Sequence, residues 1–132
     1  MVGSTSSDAE LAHNIPGMGT PSAPNLDICR RVRAQLAAPL LHATRITDAA
    51  TARFAIEDGC VDLVGMTRAH IADPHIVAKI QAGEEDRIRP CVGASYCLDE
   101  IYQARDAKCV HNASTGREDR MPHVVPPATG PA

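Results

Sequence analysis

Two short apolar runs on either side of a capped helical segment constrain the fold of this chain most. The runs cover residues 40–43 and 61–65. Asp48 lies where it can cap a helix between them, and Gly59 lies where it can end that helix. The helix would have an apolar face of Ala49, Ala52, Ala55 and Ile56. This succession predicts a right-handed βαβ unit, in which two adjacent parallel strands have helices on one side.

The flanking segments continue the alternation of helix and strand. Residues 25–36 carry apolar side chains at helical spacing, at Leu26, Cys29, Val32 and Leu36. Asp73 and Pro74 are typical of the cap and first position of another helix, which Gly83 would follow. Ile76, Val77 and Ile80 would then face the sheet. Residues 1–24 are rich in Ser, Gly and Pro, and we expect a loop there, with a strand remnant near Val2.

Composition narrows the classes of function. A chain of 132 residues forms at most one small domain. Its apolar content of 44% is almost entirely aliphatic, which suits parallel strands and their covering helices. A net charge of −3 and the absence of long basic runs argue against nucleic acid as a partner. No apolar stretch is long enough to span a membrane and residues 1–7 do not form a leader, so a cytoplasmic protein is expected.

The cysteines fall into two groups. Cys29 and Cys60 are isolated, whereas Cys91, Cys97 and Cys109 are clustered. In a chain without an export signal, such a cluster favours metal or redox chemistry over disulfides. The spacing matches no common zinc pattern. Reduced thiols without a metal are the alternative.

Three stretches carry a resemblance to a known family. They are residues 41–48, residues 62–74, and residues 87–93 together with Cys97, Cys109 and residues 112–118. The chain resembles the NADH:flavin oxidoreductase, or old yellow enzyme, superfamily over residues 1–125. The similarity is to its iron–sulfur branch, which contains trimethylamine dehydrogenase and 2,4-dienoyl-CoA reductase.

The resemblance implies an α/β fold that is part of a (β/α)₈ TIM barrel. Residues 1–85 would supply the last two or three βα units of an FMN-binding barrel. Residues 86–120 would form a small irregular lobe that contains the clustered cysteines. Residues 121–132, which include four prolines, would be a linker or a ragged end.

The resemblance also implies an FMN phosphate site in the loops after the seventh and eighth barrel strands. In such barrels these loops commonly hold a phosphate through backbone N–H groups. Thr44 stands where the family often has glycine, and a surface role is the alternative for Arg68. The expected FMN-binding residues are Ala43, Thr44, Arg45, Gly65, Met66, Thr67 and Arg68.

A [4Fe–4S] cluster is the second cofactor that the resemblance implies. Three of its cysteine ligands would be Cys91, Cys97 and Cys109, but Ala94 occupies the position of the usual second cysteine. The fourth ligand would be water or one of three side chains, His111, Asp99 and Cys60, or the site would have no fourth ligand. Cysteines that hold no cluster remain the alternative.

The resemblance predicts a fragment of an FMN-dependent oxidoreductase that is inactive alone. No catalytic residue is identified, although His13 would lie in a loop facing the flavin. The partners would be a complementary barrel segment or subunit and, in the intact enzyme, NAD(P)H and a small-molecule substrate. The alternative is a non-catalytic remnant, or a split-enzyme subunit that folds only with a complementary chain.

Overall fold

A computed structural model describes residues 7–124 of the chain. Two strands, β1 and β2, alternate with six helices and one 3₁₀ turn in this part. The strands are Leu41–His42 and Leu63–Val64. The helices are α1 (Asp8–Asn14), α2 (Leu26–Arg33), α3 (Ala49–Glu57), α4 (Thr67–Ala72), α5 (Ile76–Ala82) and α6 (Tyr96–Tyr102), and the 3₁₀ turn is Glu85–Arg87.

The two strands are adjacent and parallel, as the sequence pattern predicts. Leu41 pairs with Leu63, and His42 pairs with Val64. Both strands are shorter than the apolar runs that contain them. Residues next to the strands still form hydrogen bonds between the two runs, because the N–H groups of Asp62 and Leu63 donate to the carbonyl of Leu40.

The core lies on the face of the strands that α2 and α3 cover. One buried cluster contains Cys29 of α2, Ala55 of α3, Cys60 and Val61, and the partly buried Val64 of β2 packs against it. On the opposite face Leu41 and Leu63 remain 60% and 53% exposed. The helices of the βαβ unit therefore lie on one side, as predicted.

Helix α3 begins and ends where its caps predict. The Asp48 carboxylate accepts the backbone N–H of Thr51 at 2.7 Å. Gly59 has φ +66° just after the helix end, a conformation that favours glycine. Ala49, Ala52 and Ala55 are buried as expected, but Ile56 is 45% exposed. The prediction that Ile56 belongs to the buried face is therefore wrong; this side chain is in the last turn of α3, beyond the three buried alanines.

The other helices depart from the sequence prediction in position. Residues 8–14 form α1 where a loop was expected; this helix buries no residue, so it leaves no apolar period to detect. Helix α2 ends at Arg33 rather than at Leu36. An unexpected helix, α4, follows β2 at once. The predicted strand remnant near Val2 and residues 125–132 of the tail lie outside the described residues.

Helix α5 starts two residues later than the Asp73-Pro74 signal predicts. Asp73 ends α4 and still works as a cap, because its carboxylate accepts the backbone N–H of His75 at 3.0 Å. The buried carboxylate also accepts hydrogen bonds from the ammonium of Lys79 at 2.5 Å and from the backbone N–H of Arg89 at 3.0 Å. Asp73 thereby ties the segment after α5 to the strand–helix unit.

The segment from residue 88 to residue 124 is irregular except for α6 and packs on the end of α4. The buried Asn112 donates to the carbonyl of Ile71 at 3.0 Å, and the Thr115 hydroxyl donates to the same carbonyl at 3.0 Å. We call residues 88–124 the cysteine lobe. Within the described range no helix is long and apolar enough to cross a membrane.

Candidate functional site

The segments after β1 and β2 leave the sheet at the same edge, because the strands are parallel. Residues 43–45 follow β1, and Gly65 and Met66 connect β2 to α4. Loops at the carboxyl ends of parallel strands are the usual place for ligand contacts in α/β proteins. The topology therefore brings the two predicted phosphate loops side by side.

A cleft of about 300 Å³ opens between these loops. This volume lies at the lower end of the range for small-molecule sites. Helix α1 and helix α6 close its other sides, through Asn14 and Ile15 and through Leu98 and Ile101. Five of the seven residues predicted to bind FMN line the cleft, namely Ala43, Thr44, Arg45, Thr67 and Arg68.

The other two predicted residues, Gly65 and Met66, do not line the cleft. Gly65 lies against Ala43, and a Cβ atom at Gly65 would be 2.7 Å from the Cβ of Ala43. Met66 packs against the buried cluster of Ala23, Ile46 and Ala52. Gly65 thus lets the two loops approach each other, and Met66 anchors its loop to the core.

Arg45 holds a neighbouring loop in place. Its backbone has φ +52°, which is uncommon outside glycine. Its Nε donates to the Thr20 carbonyl at 2.6 Å, and its Nη2 donates to the Met18 carbonyl at 3.4 Å. Its Nη1 is buried and has no hydrogen-bond partner within residues 7–124. This guanidinium therefore retains one donor for a further acceptor.

Arg68 presents a positive charge at the junction of two cavities. It lies in the first turn of α4, and its Nη1 donates to the Pro16 carbonyl at 2.9 Å. It forms no ion pair with any described residue. Together with Ile71 and Cys97 it lines both the cleft and a second cavity in the cysteine lobe. Arg68 is thus available to an anion on either side.

The second cavity brings the three clustered cysteines together. Cys91, Cys97, Cys109, Ala94 and His111 all line it. Burial raises the pKa of the Cys97 thiol and the neighbouring thiols of Cys91 and Cys109 add to the rise, while the backbone N–H of Leu98 and the charge of Arg68 oppose it. These interactions indicate that the three sulfur atoms share one environment.

The cavity holds a small space of about 20 Å³, which is room for roughly one water molecule. Within the described residues, no three histidine, cysteine or acidic side chains are grouped tightly enough to coordinate a single metal ion. Cysteine thiolates are the usual ligands of iron–sulfur clusters, so three thiols around one cavity supply the kind of donor that such a cluster uses.

The remaining histidines and cysteines lie elsewhere. His13 is in the last turn of α1 and lines a different cavity, with His42 among its neighbours, so the loop position expected for it is wrong. Burial lowers the pKa of His42, whose Nε2 is buried and lacks a hydrogen-bond partner among the described residues. Cys29 and Cys60 are in the core.

Sequence reasoning missed the residues that position the cysteine lobe. Asp73 was expected as a helix cap, but its bond to the N–H of Arg89 is a long-range contact. Asn112 bonds across to Ile71, and its own Oδ1 accepts from Arg89. The signal available in the sequence was the polar Asn112, three residues after the last clustered cysteine, Cys109. Its partners could not be identified without the fold.

Comparison with known proteins gives close relatives, although no family model matches the chain. The chain is 51% identical to a probable N-methylproline demethylase of Rhizobium meliloti (strain 1021), over 98% of this chain and 21% of that protein. It is 50% identical to the N,N-dimethylglycine/sarcosine dehydrogenase of Chromohalobacter salexigens, over 92% of this chain and 18% of that protein. The chain therefore spans about a fifth of the length of these relatives.

A solved structure has the same fold over most of the chain. The 6-hydroxypseudooxynicotine amine oxidase of Pseudomonas geniculata N1 superposes with a TM-score of 0.82 and 29% identity, over 91% of this chain and 18% of that one. The partial TIM barrel expected from the sequence is consistent with this neighbour, although the two strands described here represent only a small part of a barrel. The sequence relatives and the shared fold agree, and the chain belongs to the NADH:flavin oxidoreductase, or old yellow enzyme-like, TIM-barrel superfamily.

Proposed function

We propose that this chain is the part of an FMN-dependent oxidoreductase that anchors the FMN phosphate and carries an iron–sulfur cluster. The observation that carries the proposal is the shared wall of Arg68, Ile71 and Cys97 between the cleft and the cysteine cavity. Residues 1–85 are the barrel portion, residues 86–120 the cluster segment and residues 121–132 a linker. When bound, FMN would supply hydride and electron transfer from a reduced substrate or NAD(P)H.

The residues of the cleft suit a phosphate. Arg68 is a donor without an acidic partner in the described region, and a guanidinium binds phosphate through paired hydrogen bonds. Arg45, Thr44 and Thr67 line the same cleft, and the threonine hydroxyls can add further donors. The role of this chain in flavin binding would therefore be to neutralise and orient the phosphate.

The cleft offers little to hold the flavin ring. No aromatic side chain lines it, and the wall that α6 supplies consists of the aliphatic Leu98 and Ile101. Ligand sites usually bury most of a bound molecule, so a phosphate site alone gives weak affinity. A complementary barrel segment or subunit would supply the remaining walls, together with the substrate contacts.

A non-catalytic or split-enzyme piece is the second candidate, and a specific observation favours it. Leu41 and Leu63 are exposed on one face of the sheet, and each strand has an open edge in the described region. Exposed apolar strands favour pairing with another chain. Such a piece would still contribute the phosphate loops to the assembled enzyme.

The test is FMN binding to the purified chain, measured by quenching of flavin fluorescence. We expect weak binding in the micromolar range or above (about −8 kcal/mol or less favourable), and Arg68→Ala should abolish it. Arg31→Ala, an exposed arginine of α2, is the matched control and should bind as the parent does. Stoichiometric retention of yellow flavin by the isolated chain would contradict the fragment proposal. Iron and sulfide analysis after anaerobic reconstitution tests the cluster separately.

A further inference from the structure

The cysteine cavity has three thiols and a fourth position occupied by Ala94. Three side chains were candidates for the missing ligand, and the structure separates them. Cys60 is 0% exposed and belongs to the barrel core with Cys29 and Ala55. Asp99 lines another cavity, between α6 and α1. His111 lines the same cavity as the three cysteines.

We propose that His111 is the fourth protein ligand of the cluster and binds iron through Nε2, an inference that rests on the proposed function. The ring is already oriented by its other nitrogen. Its Nδ1 lies 2.8 Å from the carbonyl oxygen of Pro90, which can only accept, so Nδ1 carries the proton. In the neutral ring this tautomer leaves the lone pair on Nε2, where it is available to a metal.

This arrangement is the one found in metal sites that use histidine. A ligating histidine commonly donates its second ring N–H to a backbone carbonyl, which fixes the tautomer and the ring plane. Pro90 directly precedes Cys91, so the carbonyl that orients the ring is adjacent to one proposed ligand. The backbone N–H of His111 also donates to the Sγ of Cys109, at 3.4 Å. His111 is therefore hydrogen-bonded to Cys109 and to the residue that precedes Cys91.

The loop around the cavity can accommodate a cluster. Residues 91–94 have neither helical nor strand hydrogen bonding, so they can move apart without breaking a regular element or the bonds of Arg89. Imidazole is an established iron–sulfur ligand that replaces cysteine in Rieske centres and raises the reduction potential. The three thiols each lose a proton on binding iron, whereas His111 binds as the neutral ring. The bound cluster is therefore one unit less negative than an all-cysteine cluster.

The experiment compares His111→Asn with the parent chain after anaerobic reconstitution with ferrous iron and sulfide. The asparagine amide can still donate to the Pro90 carbonyl, but it has no counterpart of Nε2. We expect about four irons per chain in the parent and about three in His111→Asn, and the cluster of the variant should give the electron paramagnetic resonance signal of a three-iron cluster after one-electron oxidation with ferricyanide. His70→Asn is the matched control, because His70 is also exposed and its Nδ1 lies 3.0 Å from a carbonyl, that of Met66.

A second variant separates ligation from folding. Adding Ala94→Cys to His111→Asn should restore about four irons, and the restored cluster should have a lower midpoint potential and survive air longer than that of the parent. If His111→Asn keeps the iron content and the spectrum of the parent, the assignment of His111 is wrong and the cluster proposal stands. If His111→Asn loses iron and Ala94→Cys does not restore it, His111 is structural and the assignment is also wrong. If the parent takes up neither iron nor sulfide, both proposals fail.

Discussion

Gly65 shows how one missing side chain permits the approach of two loops. A Cβ at this position would lie 2.7 Å from the Cβ of Ala43, and neither atom belongs to a flexible side chain that can swing away. Gly65→Ala must therefore displace one of the two loops. We expect a loss of about 1–3 kcal/mol in the free energy of unfolding, because overpacking of a fitted contact costs this much.

Urea denaturation measures this effect directly. Gly19→Ala is the matched control, because no atom lies within 4 Å of a Cβ built at Gly19. The control should change the urea midpoint little. Equal midpoints for Gly65→Ala and the parent would mean that the two loops are not in fixed contact.

Asp73 makes stability depend on pH. Burial alone would raise the pKa of its carboxyl, but the Lys79 ammonium and the backbone N–H groups of Arg89 and His75 hold the pKa below its usual value. A carboxyl whose pKa is depressed by folding contributes stability above its unfolded pKa of about 4 and loses it as the pH falls through the folded pKa. The urea midpoint should therefore fall as the pH is lowered from about 5 towards 2.

The variant Asp73→Asn isolates this contribution. It should lower the midpoint at neutral pH and flatten the acid dependence, since the amide cannot ionise. Asp119→Asn removes an exposed carboxylate of the cysteine lobe and should keep the acid dependence of the parent. A slope in Asp73→Asn as steep as in the parent would assign the acid transition to other groups.

At the scale of elements, α3 and α1 have similar caps but different importance. Asp48 caps α3, which buries three alanines against the sheet, whereas Ser7 caps α1, which buries none. Asp48→Ala should lower the free energy of unfolding by about 0.5–2 kcal/mol, the usual cost of losing a cap. Ser7→Ala should change it much less, because α1 can fray without opening the core.

Thermal and urea unfolding, followed by circular dichroism, distinguish the two cap variants. In both helices a backbone N–H donates to the side chain of the cap. The distance is 2.7 Å from Thr51 N to Asp48 Oδ1 and 3.3 Å from Glu10 N to Ser7 Oγ. If Ser7→Ala destabilises the chain as much as Asp48→Ala does, α1 is part of the cooperative unit despite its exposure.

The apolar face of the sheet that carries Leu41 and Leu63 is the part of the described structure most prone to association with another chain. Leu41 and Leu63 pair across the strands and both are exposed on this face. We expect the purified chain to self-associate, because open strand edges and an apolar face favour pairing between chains. The double variant Leu41→Lys/Leu63→Lys should shift the chain towards monomer with little change in the unfolding midpoint.

Light scattering during size-exclusion chromatography measures this shift. A matched double variant at exposed helix positions, Ala50→Lys/Gln81→Lys, adds the same two charges away from Leu41 and Leu63 and should leave the association unchanged. A parent that is already monomeric at high concentration would show that the open face is not used for pairing.

The local sequence was sufficient to predict those parts of the structure that depend on contacts between residues close together in the chain. The parallel strand pair follows from two apolar runs and a capped helix, and the structure confirms two adjacent parallel strands. The clustered cysteines and the two loop segments were identified as candidates from their residues alone. By contrast, α1 and α4 were missed, because the first buries nothing and the second is only one and a half turns long.

The strand–helix–strand unit, the caps at Asp48 and Gly59, and the kinds of reactive side chain can be read from the order of the amino acids. Which of those residues meet follows from the three-dimensional packing. Five of the seven predicted phosphate residues share a cleft, Gly65 and Met66 support it from behind, and Arg68 lies between that cleft and the cysteines. The physical reason is that these contacts join residues far apart in the chain. Their formation depends on how the cysteine lobe packs against α4 through Asp73 and Asn112, which no local pattern records.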